Sequence, residues 1–305
     1  PEPQHRQEAE RPAQHQREAE RDSPPAPPRQ PEPRSGGLHL RLVIGGAVVF
    51  RRHRHPRPAG RRAGPSSRAI GHQMRFRAAT YNIRKAVGRD LRRRPDRILG
   101  VLAEIGADVV ALQEADRRYG DRRAALPPEA LAEAGWRAAP VAPHPGGIGW
   151  LGNAILFGPT ATLLGARRLL LPGFEPRGAA LAELSVSGLP VAVVGAHLGL
   201  TPGPRRRQLE RVLEELAEAD GAPLLMGDLN EPRPRGGCLR LLAARWALAP
   251  ALPSFPAGLP VAALDRVALG PGLRLLGAGV HESLLARGAS DHLPVFVDLA
   301  AAAAP

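Results

Sequence analysis

The chain has 305 residues, of which 42 are basic and 29 acidic, giving a formal net charge of +13. This composition excludes a collagen-like repeat, a coiled coil and a disulfide scaffold, since the single cysteine, Cys238, has no internal partner. The charge is uneven: residues 1–73 hold 14 basic and 7 acidic residues, whereas residues 74–305 hold 28 and 22. Every basic residue except Lys85 is arginine. Codon composition explains this skew better than selection for guanidinium chemistry does.

The first 37 residues contain no aliphatic side chain larger than alanine and are dominated by Pro, Gln, Glu and Arg. Because such a segment buries too little apolar surface to offset chain entropy, we predict disorder in the N-terminal segment 1–73. The clean apolar run 42–50 is nine residues long, whereas a bilayer span needs about 20. Arginines follow this run instead of preceding it, unlike in a signal peptide. We therefore expect no transmembrane segment and a cytoplasmic protein.

Met74 is one of two methionines and directly precedes the first convincing strand, 75–81. We hypothesise that the biological protein begins at or near Met74, with residues 1–73 as upstream sequence or a disordered tail. One domain is expected over 74–299, followed by a frayed, alanine-rich tail over 300–305.

Strands and helices alternate through the predicted domain. Apolar residues at helical spacing predict a helix after Pro95, a second one around Leu209–Leu216 and a third near 237–244. Strands are predicted over 75–81, 108–113, 153–157, 180–186, 191–197, 223–228, 264–269 and 293–299. Some of these strands are joined by hairpin-length turns and others by helical crossovers, which indicates a mixed sheet with helices outside it.

Polar side chains interrupt or terminate these apolar strands. They are Asn82, Glu114, Asn153, His197, Asp228, Asn230, Asp265, Asp291 and His292. If the strands alternate in direction, all of these side chains can meet at one edge of the sheet. An edge that offers carboxylate and amide oxygens together with imidazole suits Mg²⁺ or Mn²⁺ and phosphate chemistry.

Seven segments of the chain resemble the successive motifs of the endonuclease/exonuclease/phosphatase superfamily, which has the deoxyribonuclease I-like fold. In chain order they are TYNIRKAVGRD, ADVVALQEAD, GNAILF, VVGAHL, MGDLNE, ALDRVAL and SDHLPV. Each motif alone is weakly specific, but the ordered set covers nearly all of residues 74–299. The resemblance implies an α/β fold, a four-layer sandwich of two packed mixed sheets flanked by helices, and metal-dependent cleavage of phosphate esters.

The resemblance also implies roles for individual residues. Glu114 corresponds to the main metal carboxylate, with Asn82 beside it and Asp291 as an additional carboxylate at the metal edge. Asp265 and His292 correspond to a dyad in which the aspartate orients a general-base imidazole. The other matched residues are His197 on the phosphate side, and Asp228 with Asn230, which would orient the attacking water or a phosphate oxygen.

Taken singly, most of these residues have a simpler interpretation. An asparagine such as Asn82 or Asn153 often stabilises a turn, and a lone glutamate at a strand end is normally solvated. Asp265 and His292 are 27 residues apart, so the sequence does not establish their contact. Asn153 and Arg177 are candidates for binding substrate or phosphate, although an exposed strand arginine is equally consistent with Arg177.

The sequence therefore predicts a monomeric, Mg²⁺- or Mn²⁺-dependent phosphoric-ester hydrolase in which a His–Asp dyad activates water. Its anionic substrate would be a phosphodiester, either nucleic acid or a phospholipid headgroup, and the motifs do not separate nuclease, phosphodiesterase and phosphatase. The alternative is a catalytically retired basic protein that binds nucleic acid or an anionic membrane.

Overall fold

Two six-stranded mixed sheets form the centre of the computed structural model, which describes residues 74–117, 121–234 and 236–303. The first sheet has the strand order β11-β12-β1-β2-β4-β3, and the second has the order β5-β6-β7-β8-β10-β9. The predicted disorder of residues 1–73 lies outside the described residues. Among those described, no helix is long and apolar enough to cross a bilayer.

The first sheet contains β1 (Arg75–Asn82), β2 (Val109–Gln113), β3 (Arg137–Ala138), β4 (Ala154–Phe157), β11 (Leu273–Val280) and β12 (Val295–Ala301). The second contains β5 (Ala161–Leu171), β6 (Arg177–Val186), β7 (Leu189–His197), β8 (Ala222–Asp228), β9 (Ala247–Leu248) and β10 (Asp265–Leu269). The helices are α1 (Pro95–Ile105), α2 (Pro128–Glu133), α3 (Pro202–Ala217), α4 (Leu239–Ala243) and α5 (Leu284–Ala289).

The apolar side chains of the strands divide between the two faces of each sheet, as the alternation of side chains along a strand requires. One buried cluster combines residues of both sheets, such as Ile155 and Met226, and fills the space between them. A second cluster packs α1 and α5 on the first sheet, and a third packs α3 and α4 on the second. These layers form the four-layer α/β sandwich, which confirms the predicted fold class.

Strand direction determines which residues reach the edge that carries the polar side chains. β1 runs parallel to β2, and β7 runs parallel to β8, so each of these pairs ends at the same edge of its sheet. β10 and β12 run antiparallel to β8 and β1, so their first residues lie where those strands end.

The C-terminal boundary differs from the prediction. We expected a frayed tail from residue 300, but β12 continues through Ala301, and Ala300 is buried and paired with Arg75. This pairing uses the backbone, so the alanine-rich composition does not prevent it. Residues 302 and 303 follow the strand without regular structure, and 304–305 lie outside the described residues.

Candidate active site

The structure brings the predicted polar residues to one edge of the sandwich. Asn82 ends β1, and Glu114 follows the last residue of β2. In the second sheet, Asp228 at the end of β8 stands in register with both His197 and Asp265. Asn230 follows β8, while Asp291 and His292 precede β12. A hydrogen bond from Asn82 Nδ2 to Asp228 Oδ2, at 3.1 Å, connects the two sheets here.

His292 and Asp265 form a buried pair, although 27 residues separate them in sequence. Nδ1 of His292 lies 2.8 Å from Asp265 Oδ2, which also accepts a hydrogen bond of 2.6 Å from the Ser254 hydroxyl. The His292 ring packs against Phe255 with 4.8 Å between ring centroids. These contacts fix the imidazole with Nδ1 toward Asp265 and Nε2 toward Asp228, whose Oδ2 is 3.7 Å away.

The charges around His292 stabilise its protonated form. Burial opposes the charged imidazolium, but the carboxylates of Asp265, Asp228 and Asp291 outweigh this effect and raise the pKa of His292 to about 9. In the metal-free protein at neutral pH, this histidine is therefore an imidazolium.

Asp228 lies between two histidines of opposite character. Nε2 of His197 is 3.6 Å from Asp228 Oδ2, and the Asn230 backbone N–H donates to Oδ1 at 3.1 Å. Burial lowers the pKa of His197, and the attraction of Asp228 only partly opposes it. A neutral imidazole and an imidazolium thus face the same carboxylate, an arrangement that can hold a proton donor and a proton acceptor together.

Glu114 is held as a carboxylate by Lys85. The Lys85 ammonium binds Glu114 Oε2, and the two side chains are 30% and 27% exposed. Burial opposes ionisation, but the Lys85 hydrogen bond and charge, together with His197 and His292, hold the pKa of Glu114 below its ordinary value. Glu114 Oε1 accepts no hydrogen bond from any described residue.

The other predicted metal ligands are already engaged in hydrogen bonds and ion pairs. Asn82 Oδ1 accepts a hydrogen bond of 3.1 Å from the Arg84 backbone N–H, and Asp291 Oδ2 lies 3.3 Å from Arg84 Nε. The Ser290 hydroxyl donates to the Asn82 carbonyl at 2.7 Å, which joins the loop before β12 to the end of β1. Asn82 and Asp291 therefore stand at the same edge as Glu114, but the amide oxygen of Asn82 and the carboxylate of Asp291 already have partners.

A cavity of about 230 Å³ opens beside Glu114 and His197. Its wall includes the ion pairs Arg122–Asp116, at 3.2 Å, and Arg177–Glu175, at 2.9 Å. The Arg177 side chain is 17% exposed and its partner Glu175 is 52% exposed, so the carboxylate is the group with room to move.

The side chains of Asn153 and Asn230 bind backbone next to the candidate site residues. Asn153 is fully buried and donates from Nδ2 to the Gly178 carbonyl at 2.8 Å, next to Arg177 on β6. Asn230 has a φ of 51° and donates from Nδ2 to the Leu198 carbonyl at 2.8 Å. Both side-chain amides thus bind backbone and fix the positions of neighbouring site residues.

Sequence reasoning missed several residues of the cavity wall. Asp116 had a detectable signal, because it follows Glu114 by two residues in a segment that leaves the strand. Arg122 and Glu175 had none, because each lies in a connection without periodicity or a recognisable motif.

The residues at this edge fit a divalent cation at Glu114. This carboxylate is ionised and lines the cavity, and one of its oxygens has no donor among the residues that the structure describes. Hard cations prefer such oxygen ligands. Asp228, Asp265 and His292 are a second group, with ligand atoms within 4.8 Å of one another. Here Nδ1 of His292 already bonds Asp265, so a cation would have to displace the proton on Nε2, and the geometry of this group suits a hydrogen-bonded His–Asp pair.

Comparison with known proteins agrees with this fold. A family model described as Endonuclease/Exonuclease/phosphatase family matches residues 79–292. The chain therefore belongs to the endonuclease/exonuclease/phosphatase family, whose members are phosphoester hydrolases that depend on divalent metals.

Three solved structures illustrate the similarity. An endonuclease/exonuclease/phosphatase from Beutenbergia cavernae is 26% identical, with a TM-score of 0.57 over 76% of this chain and 73% of that one. D. rerio TDP2 complexed with single strand DNA product is 18% identical, with a TM-score of 0.57 over 74% and 98%. The Bacteroides thetaiotaomicron mannosyl-6-phosphatase Bt3783 is 17% identical, with a TM-score of 0.56 over 73% and 99%. No curated protein sequence matches the chain.

Proposed function

We propose that this chain is a divalent-metal-dependent hydrolase of phosphate esters, with phosphodiesters as its substrates. The observation that carries the proposal is the buried His292–Asp265 pair, aimed at Asp228 on the edge where Glu114 faces the cavity. In-line hydrolysis needs a base for water, a carboxylate for a cation and a polarised place for the phosphoryl group, and this edge offers all three.

Glu114 is the proposed metal carboxylate, and Asn82 and Asp291 stand beside it as further oxygen donors once Arg84 releases them. Bound Mg²⁺ or Mn²⁺ would neutralise charge on the phosphoryl oxygens and on the leaving oxygen.

His292 is the proposed general base. Asp265 holds its Nδ1 and directs Nε2 toward Asp228, which is placed to orient the attacking water. Because the raised pKa keeps the imidazole protonated at neutral pH, activity should increase with pH as His292 loses its proton.

The phosphate side of the proposed site is formed by His197 and Arg177. The exposed Glu175 carboxylate can move aside and leave Arg177 to a phosphoryl oxygen, and Asn153 holds the backbone next to Arg177. Asn230 has an indirect role: its side chain donates to the Leu198 carbonyl directly after β7 and so fixes the loop that follows β8.

The cavity favours a substrate whose phosphoryl group enters alone. At about 230 Å³ it is smaller than pockets that enclose drug-sized ligands, which are roughly 300–1,000 Å³. The rest of the substrate, whether a nucleic acid or the body of a phospholipid, would stay outside. We further propose that residues 74–299 are the catalytic domain and that the protein is a monomer.

Turnover of bis-p-nitrophenyl phosphate with Mg²⁺ or Mn²⁺, with and without chelator, tests the proposed reaction. We expect His292→Ala and Glu114→Ala to reduce the rate by about 100-fold or more. His281→Ala is the matched control, because His281 is also paired with a carboxylate, Glu104 on α1 at 2.7 Å, and its side chain does not line the cavity beside Glu114.

A substrate panel then separates the chemical classes. It contains plasmid DNA, RNA, an abasic duplex, sphingomyelin and inositol phosphates, each tested with and without chelator. No metal-dependent turnover of any ester would overturn the proposal and favour the retired binding protein.

A further inference from the structure

The only lysine of the chain lies at the candidate metal carboxylate. All other basic residues, 41 of 42, are arginine, yet the cation that binds Glu114 is the ammonium of Lys85. Lysine presents one compact charge, whereas arginine presents a planar fork of donors that matches both oxygens of a carboxylate. At this position the two side chains are therefore chemically different.

A neighbouring ion pair in the same cavity wall illustrates the difference. Arg122 binds Asp116 through both oxygens, from Nε to Oδ2 at 3.2 Å and from Nη2 to Oδ1 at 3.2 Å. Lys85 binds only Oε2 of Glu114, and no described residue donates to Oε1. The lysine thus binds one oxygen of a carboxylate that lines the cavity, and among the described residues the other oxygen has no donor.

The backbone around Lys85 is held in a strained conformation. Arg84, Lys85 and Ala86 have φ values of 46°, 58° and 59°, in the left-handed region that costs roughly 1–2 kcal/mol per residue. A partly exposed ion pair contributes only about 0–1 kcal/mol, so the Lys85–Glu114 pair does not account for this turn through stability. The Lys85 N–H donates to the Glu114 carbonyl at 3.0 Å, so backbone and side chain both fix Lys85 against Glu114.

We propose that Lys85 is a positioning residue for the metal carboxylate, holding Glu114 by Oε2 and reserving Oε1 for a divalent cation. The inference rests on the proposed function, in which Glu114 binds the metal. A guanidinium at position 85 would occupy both oxygens, as Arg122 does on Asp116. An uncharged side chain of similar length would leave both oxygens open.

The test compares Mn²⁺ affinity in three full-length proteins: wild type, Lys85→Arg and Lys85→Met, each freed of metal and titrated calorimetrically. We expect Lys85→Arg to weaken Mn²⁺ binding on the order of tenfold or more, and Lys85→Met, which loses the contact with Oε2 but blocks neither oxygen, to weaken it less than Lys85→Arg does. If the Lys85–Glu114 ion pair is purely structural, Lys85→Met should weaken Mn²⁺ binding more than Lys85→Arg, because arginine would keep the ion pair and methionine would remove it. That reverse order would overturn the inference.

Two further measurements keep the outcomes separate. Arg94→Lys, at an exposed pair with Asp96, is the control for an arginine–lysine exchange outside the site and should bind Mn²⁺ like wild type. If Lys85→Arg does not fold, guanidination of the folded wild-type protein at its single lysine places the same fork at position 85 and should weaken Mn²⁺ binding equally. Absence of Mn²⁺ binding in wild type contradicts the proposed metal site, whereas equal binding in wild type and Lys85→Arg contradicts only the role of Lys85.

Discussion

The two histidines that face Asp228 differ in protonation state, and this difference comes from their surroundings. Three carboxylates act on His292, whereas burial dominates for His197. A catalytic edge benefits from such a difference, because one imidazole can accept a proton at a pH where the other already holds one.

The raised pKa of His292 predicts a pH-dependent stability of the metal-free protein. An unfolded histidine has a pKa near 6.5, and the folded pKa is about 9, so the folded state binds the extra proton between these values. The stabilisation is fully present below pH 6.5 and is lost as the pH rises through 9, by on the order of 3 kcal/mol. Urea unfolding at pH 6.5 and 9.5 measures it.

His292→Asn is the test of this assignment, since it removes the titrating group while keeping a polar side chain next to Asp265. In the variant, the free energy of unfolding should no longer decrease between pH 6.5 and 9, whatever its value at pH 6.5. His197 does not interfere, because its lowered pKa places its own contribution below pH 6.5, where stability decreases as the pH falls. A decline that persists in His292→Asn would assign it to another group.

The proposed role of Glu114 predicts how a bound metal changes the free energy of unfolding. A cation that binds only the folded protein raises the free energy of unfolding by about 2.7 kcal/mol at 100 times its Kd. We expect Mn²⁺ to stabilise wild type to this extent, and Glu114→Gln to show little or no stabilisation, as measured by thermal unfolding with Mn²⁺ or chelator. Glu129→Gln, on the exposed side of α2, is the matched control and should respond like wild type.

At the level of elements, the pairing of β7 with β8 positions two residues of the candidate site. These parallel strands place His197 opposite Asp228, and Gly227 lies between Met226 and Asp228. A Cβ atom at Gly227 would stand 1.9 Å from the Ala196 carbonyl oxygen, which no side-chain adjustment can relieve, because the obstructing atom is backbone.

Gly227→Ala should therefore destabilise the protein by more than about 3 kcal/mol and separate His197 from Asp228. Gly288→Ala is the control, because a Cβ atom there meets nothing within 4 Å and alanine is the better helix former in α5. Chemical unfolding of both variants measures the difference. Equal stabilities would mean that β7 and β8 separate easily at this point.

The sequence allowed some elements and site residues to be predicted, and the reasons differ. Buried strands such as β2 and β7 were predicted because they are short, continuous apolar runs. β5 was missed because its core-facing residues are interrupted by Gly165 and by arginines that bind across the surface. The edge-forming polar residues were visible as strand ends. The contact of His292 with Asp265, however, depends on how the two sheets pack, because β12 and β10 belong to different sheets, and local patterns do not encode that packing.

The excess positive charge is distributed unevenly along the chain. The described helices and strands lie within residues 75–301, and the three buried clusters begin at Phe76. Residues 1–73 nevertheless carry 7 of the 13 excess positive charges. The basic N-terminal segment and the proposed active site should therefore contribute separately to binding and to turnover.

A chain that begins at Met74 tests this separation. It should unfold within about 2 °C of the full chain and hydrolyse bis-p-nitrophenyl phosphate at the same rate, because the described core and site lie in the retained part. Its affinity for DNA should decrease and depend less steeply on salt, because fewer arginines displace counterions from the phosphates. Thermal unfolding, turnover and DNA titration at two salt concentrations measure these effects. Loss of turnover together with an unchanged salt dependence would show that residues 1–73 support the proposed active site itself. The boundary of the proposed domain would then move toward the N-terminus.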